Sequence, residues 1–78
     1  MAMLDRSTLE KMGFLALGDN VQISEKASLY NCAQIALGNN VRIDDFCVLA
    51  AGKGGITIGD YVHIAVGATL IGAGRITM

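Results

Sequence analysis

The chain has 78 residues, enough for one small domain and no more. Its residues are 53% hydrophobic and 17% charged, and the net charge of −1 offers no basic surface for nucleic acid or an anionic membrane. The longest stretch without an ionisable residue, 64–74, is far shorter than the ~20 apolar residues of a membrane span. We therefore expect a protein that binds neither nucleic acid nor a membrane and that buries apolar surface against other subunits.

The first segment, residues 1–14, differs from the rest and is expected to be an N-terminal capping helix. Ser7 and Glu10 have the spacing of a capping box, in which the serine caps the helix and the glutamate reaches back. This pattern predicts a short helix over residues 6–12. Because the terminal units of repeat proteins need a cap, the helix is expected to cover the first coil of the repeat region, residues 15–78.

From residue 17 onward, one seven-residue pattern occurs three times. Each copy reads aliphatic, Gly, Asp or Asn, variable, Val, polar, Ile. The copies are Leu17–Ile23, Leu37–Ile43 and Ile58–Ile64, and they begin 20 and then 21 residues apart. Self-similarity at such a period indicates a solenoid.

A finer period of six runs through the same region. Aliphatic residues recur six apart in three series: Leu17, Ile23, Leu29, Ile35; Leu37, Ile43, Leu49; and Ile58, Ile64, Leu70, Ile76. A small or β-branched residue precedes most of them by two positions, which places both side chains on one face of a strand. Helices are excluded because six is not a multiple of 3.6 and β-branched residues dominate the apolar set. Three such segments predict one turn of a triangular prism with a parallel strand on each side.

Stacking the repeats predicts ladders of inward side chains. Two of these ladders are Leu17, Leu37, Ile58 and Ala27, Cys47, Ala68. Cys47 is therefore expected to be a buried core thiol, whereas Cys32, beside an inward Ala33, is expected at the surface near a corner. The two cysteines form no metal or redox motif, and no signal peptide precedes them, so we expect free thiols in a cytoplasmic protein.

On these repeats, the chain resembles a known family. The hexad [LIV]-G-x-x-[STAV]-x is the signature of left-handed parallel β-helix proteins, chiefly hexapeptide-repeat acyltransferases. The strings Asn40–Cys47 and Ile58–Ala65 resemble sugar O-acetyltransferases of polysaccharide biosynthesis, and Leu9–Phe14 looks like the way those proteins begin. The resemblance implies an all-β fold: a single-stranded left-handed parallel β-helix of about three coils with a short N-terminal capping helix. The handedness comes from the resemblance alone.

The resemblance also implies an activity. Members of this family transfer an acetyl group from acetyl-CoA to a sugar hydroxyl, which needs a base because a hydroxyl is a poor nucleophile. Acetyl-CoA would be a cosubstrate, with no tightly bound cofactor, and the protein would be a homotrimer or a dimer of trimers. Family members continue through further coils that carry the catalytic histidine, so this chain matches only their N-terminal part. A non-catalytic β-helix module for assembly or small-molecule binding is the alternative function.

His63, the single histidine, is the first candidate site residue. It lies between inward Val62 and Ile64, so it is expected to face outward in a ladder with Gln22 and Arg42. Its simplest role is a surface or interface group. A base for acyl transfer and a zinc ligand shared by three subunits remain open as alternatives.

Asp44 and Asp45 are the other candidates. Both are expected on the outer surface of one coil, as solvated or interface carboxylates, although the family resemblance would bring this region towards an acceptor sugar. No base is paired with a nucleophile in the sequence. The sequence therefore assigns no catalytic residue, no metal ligand and no cofactor-binding residue.

Overall fold

One short helix precedes ten short strands in the computed structural model, which describes residues 2–72 and 74–78. The elements are α1 (Arg6–Lys11), β1 (Ala16–Leu17), β2 (Gln22–Ile23), β3 (Ser28–Tyr30), β4 (Ile35–Leu37), β5 (Arg42–Ile43), β6 (Val48–Ala51), β7 (Ile56–Ile58), β8 (His63–Ile64), β9 (Thr69–Gly72) and β10 (Ile76–Thr77). A 3₁₀ turn, Cys32–Gln34, lies between β3 and β4. Within the described ranges, we find no helix with the length and apolarity to cross a membrane.

The strands form three parallel sheets, one on each side of a prism. Their strand orders are β1-β4-β7-β10, β2-β5-β8 and β3-β6-β9. Neighbouring strands come from successive coils, so Leu17 lies opposite Leu37, and Leu37 lies opposite Ile58. The predicted left-handed parallel β-helix of about three coils, with its short N-terminal helix, is therefore confirmed.

The core lies along the axis of the prism. Its buried members are Leu9, Val21, Ile23, Ile35, Leu37, Val41, Ile43, Cys47, Leu49, Ile56, Ile58 and Ile64. All of these except Leu9 come from the repeats, because the inward positions of each short strand recur in register from coil to coil. Leu9 comes from α1 and packs onto this core, so the helix contributes to the same apolar cluster as the coils.

The predicted capping box at Ser7 is wrong. The helix begins at Arg6, and Asp5 is its N-cap, with a side-chain oxygen that accepts a hydrogen bond from the backbone N–H of Thr8 at 2.8 Å. The carboxylate of Glu10 lies 3.4 Å from Nε of Arg6, in a side-chain pair, instead of reaching back to the backbone of Ser7. A carboxylate just ahead of the first turn accepts the free backbone N–H, so Ser7 is left exposed on the helix.

The predicted inward position of Ala33 is also wrong. Ala33 is exposed because residues 32–34 form a 3₁₀ turn rather than the end of a strand. Asn31 precedes this turn in the left-handed region, at φ 61°, and redirects the chain at the corner. Cys32, expected at the surface, is half-buried, and this burial raises the pKa of its thiol.

Candidate ligand-binding face

The outer face of the sheet β2-β5-β8 carries a ladder of polar side chains. Gln22 lies opposite Arg42, and Arg42 lies opposite His63. All three residues are exposed, as the alternation along their strands predicts. Three different coils thus contribute one long polar side chain each to the same face.

Asp44 joins two members of this ladder. One carboxylate oxygen accepts a hydrogen bond from Nε of Arg42 at 2.8 Å, and the other lies 2.6 Å from Nε2 of His63. These contacts hold the pKa of Asp44 below its usual range, mainly through the hydrogen bond from Arg42 and then through that from His63. The result is a linked arginine, carboxylate and histidine across two coils.

The expectation that Asp44 lies on the outer surface is wrong, because this residue is only 6% exposed. Its side chain points to the same side of the chain as that of Arg42, two residues before it, but it is covered there and not solvated. The longer side chains of Arg42 and His63 both contact the carboxylate from the sheet face. The aspartate therefore supports the ladder from beneath.

Asp45 also departs from the expected solvated position. It is half-buried, and its carboxylate accepts a hydrogen bond from the hydroxyl of Ser24 in the preceding coil. The Ser24 oxygen in turn accepts the backbone N–H of Lys26 at 3.1 Å. Asp45 thus fixes the corner of the coil beneath it, while Asp44 fixes the sheet face.

The geometry orients the imidazole of His63. When Nε2 carries the proton, it donates to Asp44, and Nδ1 is then a hydrogen-bond acceptor. The side chain of His63 is 59% exposed, so a ligand can approach it from the outer face. Such a histidine can hold or accept a proton of a bound amine or hydroxyl.

The sequence analysis missed the pairing of His63 with Asp44. The spacing of the two residues could have indicated this contact. His63 follows Asp44 by 19 positions, two fewer than the 21 residues between Arg42 and His63, which lie opposite each other in neighbouring coils. A side chain at a corner can therefore reach a ladder member of the next coil. That reach depends on side-chain direction, which the period does not give.

A second feature, which we call the Phe46 corner, lies where the chain turns after β5. It comprises Lys26, Phe46 and Gly67 from three successive coils. The backbone N–H of Phe46 donates to the carbonyl of Lys26 at 3.2 Å, and the N–H of Gly67 donates to that of Asp45 at 3.1 Å. Nζ of Lys26 lies 5.7 Å from the centre of the Phe46 ring. The corner adjoins the polar ladder through Asp44 and Asp45.

The cysteines lie away from this face. Cys47 is fully buried, as predicted, and its thiol donates to the carbonyl of Ala65 at a sulfur–oxygen distance of 3.0 Å. In the part of the chain that the structure describes, no three His, Cys, Asp or Glu side chains come together in a way that could hold a metal ion. Those same residues enclose no pocket within one copy, so the ladder and the Phe46 corner form an open face.

Comparison with known proteins gives close relatives. No family model matches the chain. It is 59% identical over all 78 residues to a dTDP-4-amino-4,6-dideoxy-D-glucose acyltransferase of Escherichia coli, and it spans 41% of the length of that relative.

Solved structures of a second acyltransferase match the fold. The N-acyltransferase AntD from Bacillus cereus, in complex with dTDP and 3-hydroxybutyryl-CoA, is 52% identical with a TM-score of 0.90, over 97% of this chain and 39% of AntD. A serine-to-cysteine variant of AntD, in complex with dTDP-4-amino-4,6-dideoxyglucose and coenzyme A, is 51% identical with a TM-score of 0.81, over 86% of this chain and 34% of the variant.

These relatives agree with the predicted resemblance at the level of a sugar acyltransferase that uses a CoA thioester. The sequence analysis expected transfer to a hydroxyl, whereas AntD is named as an N-acyltransferase. The chain is thus similar, along its whole length, to part of enzymes that are named for acyl transfer and that bind a nucleotide-linked amino sugar and coenzyme A.

Proposed function

We propose that this chain forms coils of an acyltransferase that moves an acyl group from a CoA thioester to the amino group of a dTDP-linked 4-amino-4,6-dideoxy sugar. The observation that carries this proposal is the 59% identity to such an acyltransferase over all 78 residues. In the reaction, the C–S bond of the thioester breaks and the C–N bond of an amide forms. The proton lost by the amine ends on the thiol of coenzyme A.

The polar ladder supports this chemistry. A sugar amine is largely an ammonium ion at neutral pH, so one proton passes to the solvent before its lone pair can attack the thioester, and a second leaves the nitrogen as the amide forms. We assign this contact to His63, whose Nδ1 accepts a hydrogen bond from the amine while Asp44, at 2.6 Å from Nε2, holds the ring. A base for acyl transfer is one of the alternatives that the sequence analysis left open for His63.

Three finer points belong to the same proposal. We favour an amine over the hydroxyl acceptor of the sequence analysis because AntD is an N-acyltransferase. The acyl group is proposed to be acetyl or a longer hydroxyacyl group, since AntD binds 3-hydroxybutyryl-CoA. We also propose a cytoplasmic homotrimer, in keeping with the two free thiols and the apolar composition.

The non-catalytic module stays as a second candidate function. The observation that favours it is the open face, since the described residues of one copy enclose no pocket. In this case the chain binds a nucleotide-linked ligand or another copy without transferring an acyl group.

The experiment that separates the two functions uses the purified 78-residue chain. The chain is incubated with dTDP-4-amino-4,6-dideoxyglucose and either acetyl-CoA or 3-hydroxybutyryl-CoA. The mass of the sugar nucleotide is then measured by mass spectrometry. Acyl transfer adds the mass of the acyl group. Mass spectrometry is preferred to a thiol reagent because Cys32 and Cys47 are free thiols themselves.

His63→Ala is the test variant for the assigned contact, and Thr57→Ala, at an exposed position of β7 in another sheet, is its control. We expect His63→Ala to lower the rate of transfer about a hundredfold, within the usual range for a general base, and Thr57→Ala to leave it unchanged. Saturable binding without any product supports the module. If neither binding nor product is observed, acyl transfer and ligand binding are both excluded for this chain, which leaves only binding between copies.

A further inference from the structure

Two bulky aromatic residues occupy a backbone conformation that the rest of the chain gives to Asn and Gly. The described residues with φ in the left-handed region are Gly13, Asn20, Asn31, Asn40, Phe46, Gly55, Tyr61 and Gly67. Asn and Gly tolerate this region, whereas a bulky side chain there strains the backbone. Phe46, at φ 61°, and Tyr61, at φ 57°, are therefore the outliers.

Neither aromatic ring gains burial from its strained position. Phe46 is 61% exposed and Tyr61 is 82% exposed. Strained residues that the fold does not need for packing cluster at binding sites. An exposed aromatic residue in a strained backbone conformation is thus a candidate for contact with a ligand.

Phe46 differs from Tyr61 in what lies around it. Nζ of Lys26, one coil below, lies 5.7 Å from the ring centre, within the range of a cation–π contact. Gly67 occupies the same corner position one coil above, and no described atom outside residues 66–68 lies within 4 Å of the place where its Cβ would be. The ring therefore has a cation near it on the lower coil and no side chain at the corner position of the upper coil.

The ring itself is open to solvent, since Phe46 is 61% exposed and glycine offers no side chain at the corner position above it. A flat aromatic group can therefore approach the ring from the outside and stack on it. Lys26 supplies a positive charge next to it, which suits a group that carries phosphates.

We propose that the Phe46 corner is a nucleobase-stacking site, in which the base of a nucleotide ligand packs on the exposed ring of Phe46. The inference deepens the proposed function and rests on it. Two nucleotides of that reaction carry a base, because dTDP carries thymine and coenzyme A carries adenine. The shared chemistry is the stacking of a planar base, and the test below distinguishes the two sources.

Corner variants of the 78-residue chain separate stacking from folding. Phe46→Asn replaces the ring with a residue type that the chain already uses at φ 55–61°. We therefore expect this variant to melt at a higher temperature than the native chain and yet to bind its nucleotide about tenfold more weakly, as is usual when one stacked base loses its aromatic partner. A gain in stability with a loss of affinity is the opposite of what a merely structural residue would show.

Tyr61→Asn is the matched control. It relieves the same kind of backbone strain at another exposed aromatic residue, so it should also raise the melting temperature, but it should leave nucleotide affinity unchanged. Gly67→Asn keeps a residue that tolerates positive φ and adds a side chain one coil above the ring, so it should hinder the approach of a base and weaken binding as Phe46→Asn does.

Binding is measured by titration calorimetry with dTDP and, separately, with coenzyme A. Proton NMR of each nucleotide gives a second readout, since a stacked base shifts upfield in the ring current of Phe46. Upfield shifts of thymine protons assign the corner to dTDP, and shifts of adenine protons assign it to coenzyme A. Loss of those shifts in Phe46→Asn is the expected result.

Two outcomes overturn the inference while the proposed function stands. In one, the native chain binds a nucleotide with an affinity that Phe46→Asn does not change. In the other, Phe46→Asn lowers the mass of the protein in sedimentation, which would make the ring a contact between copies. If the native chain binds neither nucleotide, the inference fails together with the proposed function.

Discussion

At the scale of single residues, Asp44 shows how a buried charge is held in a molecule this small. Its carboxylate is shared between a guanidinium of its own coil and an imidazole of the next coil. A buried charge without such partners would be costly, and loss of either partner would leave it uncompensated. Asp44 therefore has two roles, since it joins two coils and orients His63.

Asp44→Asn should make the protein less stable at neutral pH and remove part of its acid sensitivity. Because the pKa of Asp44 is lowered in the folded state, its ionisation stabilises the fold above the ordinary carboxyl pKa of about 3.9. This contribution is lost as the pH falls through the lower pKa of the folded state.

Urea unfolding of the native chain and of Asp44→Asn, followed from pH 7 down to about pH 3, checks this prediction. The gap in unfolding midpoint between the two proteins should be wide at pH 7 and should narrow below about pH 4. Asp19→Asn, at an exposed aspartate, is the control and should stay near the native chain. A gap of constant width over the whole pH range would contradict the assigned role of Asp44.

At the scale of elements, the N-cap of α1 depends on one carboxylate. The hydrogen bond from the backbone N–H of Thr8 lowers the pKa of Asp5, so the ionised form favours the helix. Asp5→Ala should loosen α1 and, through Leu9, expose the core beneath it. Ser7→Ala should have no such effect, since Asp5 already occupies the cap.

Amide hydrogen exchange of the first turn of α1 measures this difference. Exchange at Thr8 should speed up in Asp5→Ala and stay at the native rate in Ser7→Ala. The opposite order would restore the capping box that the sequence predicted.

The glycines at the second position of each repeat are a further constraint on the elements. Gly18, Gly38 and Gly59 recur in register, and a Cβ at Gly38 would lie 2.5 Å from Oδ1 of Asp60 and 2.7 Å from the carbonyl carbon of Gly59. Backbone atoms of the next coil cannot give way cheaply. We therefore expect Gly38→Ala to lower the free energy of unfolding by about 1–3 kcal/mol, the usual cost of overpacking.

Gly74→Ala is the matched control, because no described atom lies within 4 Å of the place where its Cβ would be. Denaturant unfolding of the two variants beside the native chain gives the comparison. A Gly38→Ala protein as stable as the Gly74→Ala protein would mean that the coils are not held as closely as the structure has them.

At the scale of the whole molecule, most of the fold could be predicted from the period. The inward ladders follow from aliphatic residues six apart, since a strand repeats its face every two residues and the coil repeats every 20 or 21. The conformation of the corners was harder to predict from the sequence. Ala33 fits the period and is nevertheless exposed, because the chain forms a 3₁₀ turn there.

Most of the candidate site could not be predicted from the sequence, because side-chain contacts do not follow from the period. The outward ladder of Gln22, Arg42 and His63 follows from alternation and was predicted. The burial of Asp44 was not, because it is set by the side chains of Arg42 and His63 that contact its carboxylate. The conformation of Phe46 was also hidden, since its residue type argues against the left-handed region that the corner imposes.

The outer face of the third sheet gives a prediction about assembly. Tyr30, Ala50 and Ile71 lie opposite one another in β3-β6-β9 and form an apolar outward ladder, and Ile71 is 71% exposed. We expect this ladder to pack between copies in a homotrimer of the 8.2 kDa chain.

Sedimentation at micromolar concentration tests the assembly. Ile71→Asp should shift the protein from trimer towards monomer, because an unpaired charge at an apolar contact is costly. Thr57→Asp, at an exposed position of β7 in another sheet, should remain trimeric. A native chain that sediments as a monomer would contradict the predicted trimer.

The parallel pairing of the strands has a consequence for how the chain folds. Every parallel pair joins residues 20 or 21 positions apart, so each coil must close a loop of the same length before its hydrogen bonds form. Loop-closure entropy depends on that length and not on how many coils already exist. The first closed turn is thus the nucleus, and each later coil grows on a template that is already ordered. Folding speed should therefore be set by whichever two coils pair first, while the remaining coil follows quickly once they have formed.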